Sequence, residues 1–267
     1  MRIATWNVNS VARRVDRVAA WLARTQADVL CIQETKCPSS DFPSLPFAAL
    51  GYESAAVGNG PWNGVAVLSR VGLENITHQL LAPPTWEGAV EPRALGVTCD
   101  GLRVWSVYVP NGRALDHPHF QYKLNWLRSL TQMARVELAS QSRLALLGDF
   151  NVAPTNDDVY NPAARVGQTH VTAEERDKLR DLEEAGLTQI VPRALKYDHP
   201  YTFWDYRQLA FPQNHGMRID LAFLGGDLPQ LVSDAYVDRE ARKGKGTSDH
   251  APVVIDLDFS NDDLEVA

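Results

Sequence analysis

Apolar and polar positions alternate along this chain in two rhythms. Arg2 to Val8 reads as a buried strand, and Val11, Val15, Val18, Ala19 and Leu22 then recur at helical spacing through Thr25. A second apolar strand is predicted over Ala27 to Gln33, and others over Gly64 to Ser69, Ala94 to Cys99 and Leu102 to Val109. The last two are joined by Asp100-Gly101, a strong two-residue hairpin signal. A helix predicted from about His119 to Ala139 precedes a strand from Arg143 to Leu147, and another near Thr172 to Ala185 precedes a loop-rich stretch. The final strands are expected at Arg218 to Leu224, Leu231 to Val237 and Pro252 to Leu257. Hairpins mixed with helical crossovers imply an α/β chain of two packed mixed sheets with helices outside.

Nothing rich in serine or proline divides the 267 residues, and no repeat is seen, so one domain is expected over residues 1–259, with an acidic, disordered tail over 260–267. Apolar runs fall far below the ~20 residues that cross a bilayer. The N-terminus enters a strand directly, without a signal-peptide pattern, so a cytoplasmic location is expected. Cys31, Cys37 and Cys99 form no CxxC pair, which argues against zinc held through cysteine, and their odd number argues against a disulfide framework. A net charge of -7 speaks against a general grip on nucleic acid. Net charge is not patch charge, however: Arg239, Arg242, Lys243 and Lys245 cluster just before Ser248-Asp249-His250 and offer a basic rim.

Several strand-like segments end in residues that carry chemistry. Asn7 follows the first, Glu34 the second, and Tyr108 and Asn111 the hairpin; Asp149 and Asn151 follow Leu144 to Leu147. Asp220 opens a later strand, and Asp249-His250 precedes the last one. Strands that share a sheet edge would bring these groups into one cleft. The set suits phosphodiester hydrolysis. Glu34 and Asp249 are hard oxygen ligands for magnesium, which needs only one or two protein carboxylates. Asp149 can orient or deprotonate water, while Asn7, Asn151, His250 and Tyr108 can donate to phosphate oxygens. Asp220 can hold the His250 ring in one tautomer and favour its charge. Each residue also has an ordinary structural reading: an ion pair of Glu34 with Lys36 or of Asp220 with Arg218, a cross-strand contact for Tyr108, a satisfied structural role for His250, a cap or turn for each Asp or Asn. Their joint occurrence at strand ends favours the functional reading.

At these positions the chain resembles the exonuclease III family of apurinic/apyrimidinic endonucleases, within the endonuclease/exonuclease/phosphatase superfamily. The match runs through Thr5-Trp6-Asn7-Val8-Asn9, Gln33-Glu34-Thr35-Lys36, Tyr108-Val109-Pro110-Asn111-Gly112, Gly148-Asp149-Phe150-Asn151, Arg218-Ile219-Asp220 and Ser248-Asp249-His250-Ala251-Pro252. The resemblance implies a four-layer α-β-β-α sandwich of DNase I-like type with the site at the loop edge of the sheets. It implies that Glu34 is the main ligand of Mg2+ or Mn2+, with Asn7 beside it and Asp249 near. It assigns the nucleophilic water to Asp149 and the phosphate to Asn151, Tyr108 and Asn111, with His250 and Asp220 at the scissile group. Tyr108 stands where the superfamily's secreted nucleases have a histidine, which favours the abasic-site branch.

The resemblance also implies a pocket for a flipped-out abasic sugar, mapped here to Phe203, Met217 and Ile219, with Arg93 near the DNA. Met217 stands where some members carry tryptophan, and its flexibility implies a less selective pocket. The implied activity is metal-dependent cleavage of duplex DNA 5′ to abasic sites, with 3′-5′ exonuclease and 3′-end trimming at the same site, by a monomer acting on abasic or damaged 3′ ends. Two alternatives are a superfamily phosphatase or phosphodiesterase on a non-nucleic-acid phosphoester, which the acidic charge favours, and a DNA-end binding protein without catalysis.

Overall fold

The computed structural model describes residues 1–140 and 143–259; the acidic segment expected to be disordered lies outside them. Among the described residues no helix is long and apolar enough to cross a membrane. In chain order the elements are β1 (Arg2–Asn7), α1 (Val15–Thr25), β2 (Val29–Gln33), α2 (Ser44–Ala48), β3 (Glu53–Val57), β4 (Val65–Ser69), β5 (Glu74–Thr77), β6 (Ala94–Cys99) and β7 (Leu102–Tyr108). There follow α3 (Pro118–Ser140), β8 (Leu144–Asp149), α4 (Ala173–Glu184), β9 (Leu187–Ile190), β10 (Arg193–Ala194), β11 (Asp220–Gly225), β12 (Val232–Val237) and β13 (Val253–Leu257). The strands form two mixed sheets, ordered β10-β12-β13-β1-β2-β4-β3 and β5-β6-β7-β8-β11-β9.

Strand alternation explains the layers. Ile3, Val29, Cys31, Val67 and Ile255 of the first sheet face Val97, Val104, Leu147 and Leu224 of the second in one core. Opposite faces of the same strands bury Ala4, Trp6, Leu30 and Ile32 against α1 and α2, and Trp105, Val107, Leu146 and Phe223 against α3 and α4. Four layers result because both sheets are apolar on both faces. Asp100 and Gly101 both take positive φ, 48° and 74°, as a hairpin turn between β6 and β7 requires.

The predicted helix beginning at Val11 is in fact two pieces. Val11–Arg13 is a 3-10 turn after Ser10, whose φ is 87°, and α1 starts at Val15. The unpredicted elements are α2, β3, β5, β9 and β10, all two to five residues long. All four strands lie at sheet edges, where one face or flank meets solvent and the apolar pattern fades. Of the expected basic rim, Arg239 and Arg242 are buried: Arg239 lies 3.9 Å over Phe211, and Arg242 lies 5.0 Å over Tyr206 and donates to Thr247 Oγ1 at 2.9 Å. They brace loops, and only Lys243 and Lys245 of that cluster are exposed.

Candidate active site

Parallel pairing of β1 with β2, and of β7 with β8, brings four strand C-termini to one edge of the sandwich. β11 and β13 run antiparallel to their neighbours β8 and β1, so the residues at or before their N-termini reach the same edge. Tyr108, Asp149 and Asp220 consequently stand side by side, Tyr108 opposite Asp149 and Asp149 opposite Asp220. Gly148 permits the close strand approach there, because a Cβ would lie 1.9 Å from the Val107 carbonyl oxygen. From the first sheet come Asn7, Glu34 and the 248–250 segment, the last tied down by Ser248 Oγ donating to the Asn7 carbonyl at 2.6 Å and Trp6 Nε1 donating to the His250 carbonyl at 3.1 Å.

Just beneath the site the two sheets are joined by a buried polar rung. Thr5 Oγ1 donates to Gln33 Oε1 at 3.1 Å, Gln33 Nε2 to Ser106 Oγ at 3.0 Å, and Ser106 Oγ to the Ile32 carbonyl at 3.1 Å. A satisfied buried network of this kind fixes the relative position of the layers that carry the site. Above it the chain leaves the strands in the left-handed region: Asn9, Ser10, Glu34, Lys36 and Asn151 have φ of 46°, 87°, 55°, 53° and 51°. Such strain concentrates at functional loops.

The central group is Glu34, Asp149 and His250, whose ligand atoms lie within 4.8 Å of one another. Asn7 Nδ2 bridges the carboxylates, donating to Glu34 Oε1 at 2.8 Å and Asp149 Oδ2 at 2.9 Å. His250 Nδ1 lies 2.7 Å from Asp220 Oδ2, and its Nε2 faces Asp149 Oδ2 across 3.9 Å. Burial opposes charge on His250, but Asp220 and Asp149 outweigh it and raise its pKa to about 10, so the ring is an imidazolium at neutral pH. Burial raises Asp149 to about 7; His250 opposes this, while Asp220 and Glu34 add to it. Burial also works against Glu34, yet Lys36 at 2.7 Å and the Asn7 amide hold it below the usual carboxylate range. The Tyr108 hydroxyl is pushed up by burial and by Glu34, so it remains a donor.

Two carboxylates sharing a buried edge, one of them driven towards neutrality, fit a hard divalent cation: oxygen ligands are present and a positive charge would relieve the repulsion. Glu34 and Asp149 supply oxygen atoms at the spacing such an ion would need. Asn7 and Asp249, expected as further ligands, flank this group, and both are held by Asn9. The Asn7 amide presents its nitrogen, while its Oδ1 accepts from Asn9 N at 3.0 Å. Asp249 Oδ1 accepts from Asn9 Nδ2 at 3.0 Å and stands outside the central group.

Phe203 and Met217 line a cavity of about 480 Å3 together with Arg165, Gln168, Asp205 and Arg207, and the Phe203 ring lies 5.0 Å from His250. Ile219 backs this wall from a buried cluster with Ala153, Val159 and Met217. Arg93, expected near DNA, is 5% exposed; it pairs with Glu91 at 2.7 Å and covers the Tyr108 ring at 4.7 Å. It supports Tyr108 from behind. Trp204 belongs to the core, and Arg218 pairs with Asp158 at 2.6 Å, leaving Asp220 to His250.

The sequence profile of the Endonuclease/Exonuclease/phosphatase family matches residues 4–250. The chain belongs to this family. Its relatives include the 3′-5′ exonuclease NExo of Neisseria meningitidis, 35% identical with a TM-score of 0.91 over 97% of this chain and 100% of that one. A NExo aspartate-to-asparagine variant, described as a 3′ phosphatase bound to a product DNA hairpin, superimposes with a TM-score of 0.92. An AP endonuclease from Archaeoglobus fulgidus is 32% identical, with a TM-score of 0.90 over 97% and 100% of the two chains. An exodeoxyribonuclease of Bacillus subtilis is 28% identical over 95% of this chain and 98% of its own length. The family member described here thus has the fold and the full extent of phosphoester hydrolases of the exodeoxyribonuclease III type.

Sequence reasoning gave no role to Asn9, Lys123, His170 or Glu175, and gave Lys36 only the ion pair with Glu34 that the structure shows. Lys36 Nζ bridges Glu34 and Asn9 Oδ1, the latter at 2.6 Å. His170 Nε2 lies 3.0 Å from Asn151 Oδ1 and 3.3 Å from Asn111 Nδ2. Lys123 did carry a signal: with Phe120, Leu124, Leu127 and Leu130 it falls on the buried stripe of α3, an unusual place for a lysine.

Proposed function

We propose that this protein is a metal-dependent DNA-repair phosphodiesterase that incises duplex DNA 5′ to abasic sites and trims 3′ ends. The observation that carries the reading is the joint placement of Glu34, Asn7 and Asp149 opposite an Asp220–His250 pair, beside the Phe203–Met217 cavity. Full-length relatives described as a 3′-5′ exonuclease, a 3′ phosphatase and an AP endonuclease support the substrate class.

A divalent cation, Mg2+ in this reading, would neutralise phosphate charge when held by Glu34 at the edge of the Glu34–Asp149–His250 group. The chain's own residues supply the rest. Asp149 orients the attacking water and takes its proton on the carboxylate, its Oδ1 fixed by the Asn151 N–H at 2.9 Å; as the water oxygen bonds to phosphorus the P–O3′ bond breaks, and the departing 3′ oxygen takes a proton from solvent to become the 3′-hydroxyl. His250 Nε2–H donates to a phosphate oxygen as negative charge grows, with Asp220 holding Nδ1. The 3.9 Å between His250 and Asp149 leaves both groups open to a substrate oxygen. Tyr108, Asn111 and Asn151 add donors around the phosphate, and Phe203 with Met217 receives the extruded sugar. Extruding an abasic nucleotide breaks no base pair, which makes selection by deformability inexpensive in free energy. One chain carries every group, so a monomer suffices, and a cytoplasmic location goes with this role.

The test is incision of a labelled duplex with one tetrahydrofuran abasic analogue, in magnesium or in chelator. The analogue has no aldehyde, so elimination cannot cut it. Magnesium-dependent cutting on the 5′ side supports the reading. Removal of 3′-phosphate without incision would confine the enzyme to 3′ ends, and hydrolysis of non-nucleic-acid phosphoesters alone would overturn it.

A further inference from the structure

A second charged centre lies behind the site, between α3 and α4. Lys123 and Glu175 form an ion pair at 2.5 Å whose side chains are both 0% exposed. Lys123 Nζ also donates to the Asn151 carbonyl at 2.6 Å and lies 3.2 Å from the Asn111 carbonyl and from Thr169 Oγ1. Glu175 accepts from the His170 N–H at 2.9 Å, from Thr169 Oγ1 at 2.7 Å and from the Thr172 N–H at 3.0 Å. One buried pair therefore holds the loop after β7 and both ends of the long connection from β8 to α4.

Packing alone does not call for this arrangement. Burying two charges carries a desolvation penalty, and apolar side chains of the same volume commonly serve stability as well or better. What the pair adds is direction. Its hydrogen bonds end on the backbone carbonyls of the two asparagines that face the site, Asn111 and Asn151, the latter held at a φ of 51°. Through the backbone of His170 it also fixes a ring that meets both asparagine side chains. Gly112 is shaped to this centre: its φ is 94°, and a Cβ there would come within 2.6 Å of Thr169 Oγ1 and 3.1 Å of Lys123 Cδ.

We propose that Lys123 and Glu175 are positioning residues, a buried ionic staple that sets Asn111 and Asn151 against the reacting phosphate. The proposal rests on the functional reading above, which gives those asparagines the phosphate. Removing one charge strands the other, so the test replaces both, Lys123→Met with Glu175→Gln, and compares this double variant with Leu182→Ala. That substitution loosens the same helix layer at a buried apolar residue of α4 and removes no charge or hydrogen bond from the pair.

In steady-state incision of the tetrahydrofuran duplex, the double variant, folded by circular dichroism at the assay temperature, is expected to lose roughly ten- to hundredfold in kcat. Its KM for DNA should move much less, because the rest of the DNA-facing surface is untouched, and Leu182→Ala should keep a kcat near that of the parent. A folded double variant with kcat within about twofold of the parent, or an equal loss in Leu182→Ala, would overturn the proposal. Should the double variant not fold, Lys123→Gln with Glu175→Gln, which keeps neutral hydrogen-bonding groups at both positions and strands no charge, is read by the same criteria. A parent that cuts no phosphoester fails the functional reading and the proposal with it. A parent that cuts, beside a variant that cuts equally well, fails the proposal alone.

Discussion

Asp149 is the residue on which most of the site's interactions meet: the Asn7 amide, the Asn151 N–H and the His250 ring all address its carboxylate. Asp149→Asn should lower turnover by about 10²–10⁴-fold, the usual worth of a positioned general base, with duplex affinity largely retained. Single-turnover incision beside a binding titration checks this, and near-normal turnover would remove Asp149 from its role. Glu34→Gln deletes a charge from the candidate cation site while keeping its volume, so the magnesium concentration for half-maximal rate should rise. An unchanged requirement would place the cation elsewhere. Met217 lines the cavity beside Phe203. A rigid ring in place of its flexible side chain, Met217→Trp, should raise the ratio of abasic incision to exonuclease rate, and an unaltered ratio would show that residue 217 does not touch the sugar.

At the scale of elements, the site depends on where strands stop and helices begin. α4 starts with a reciprocal cap: Thr172 Oγ1 accepts from the Glu175 N–H at 3.1 Å, and the Glu175 carboxylate accepts from the Thr172 N–H. Thr172→Ala should therefore lower stability by about 1 kcal/mol, seen as a fall of roughly 2–4 °C in Tm. Because Glu175 also belongs to the ionic staple, a loss of kcat larger than the stability change explains would place the cap in the same positioning network. A Tm equal to that of the parent would show that the cap is redundant.

For the whole molecule, buried titratable groups set the response to acid. Burial lowers the His119 pKa to about 4, helped by Arg93 and Arg113, and its Nδ1 accepts the Gly112 N–H at 3.2 Å. An unfolded histidine binds its proton near pH 6.5, so between pH 6.5 and 4 the unfolded state takes up more protons and stability falls as pH falls. Glu175 acts in the same direction at lower pH: burial opposes its charge, but Lys123 holds it at about 2, and its contribution is lost from pH 4.5 downwards. Urea midpoints should drop from pH 7 to pH 5, and His119→Gln should flatten that drop by on the order of 1–3 kcal/mol. A variant as sensitive as the parent would assign the acid response to other groups.

What the sequence determined by itself was the kind of molecule and the list of reacting groups. Continuous buried runs such as Arg2–Asn7 and Ala94–Cys99 read as strands covered on both faces, and the apolar stripe of α3 as a helix covering a sheet. Polar residues at the ends of those runs were visible for the same reason, since nothing in strand formation calls for Glu34, Asp149 or His250 there. The tertiary structure decided who faces whom. Pairing is a matter of long-range geometry that sequence distance does not fix: Lys36 does pair with Glu34, but Arg218 pairs with Asp158 rather than Asp220, Arg93 lies over the Tyr108 ring, and the arginines of the expected basic rim pack on aromatic rings. Short edge strands such as β5 and β10 exist because a neighbour offers hydrogen bonds, and no local pattern records that. The Lys123–Glu175 staple joins residues 52 positions apart, and only the folded layers could bring that lysine and that glutamate together out of water.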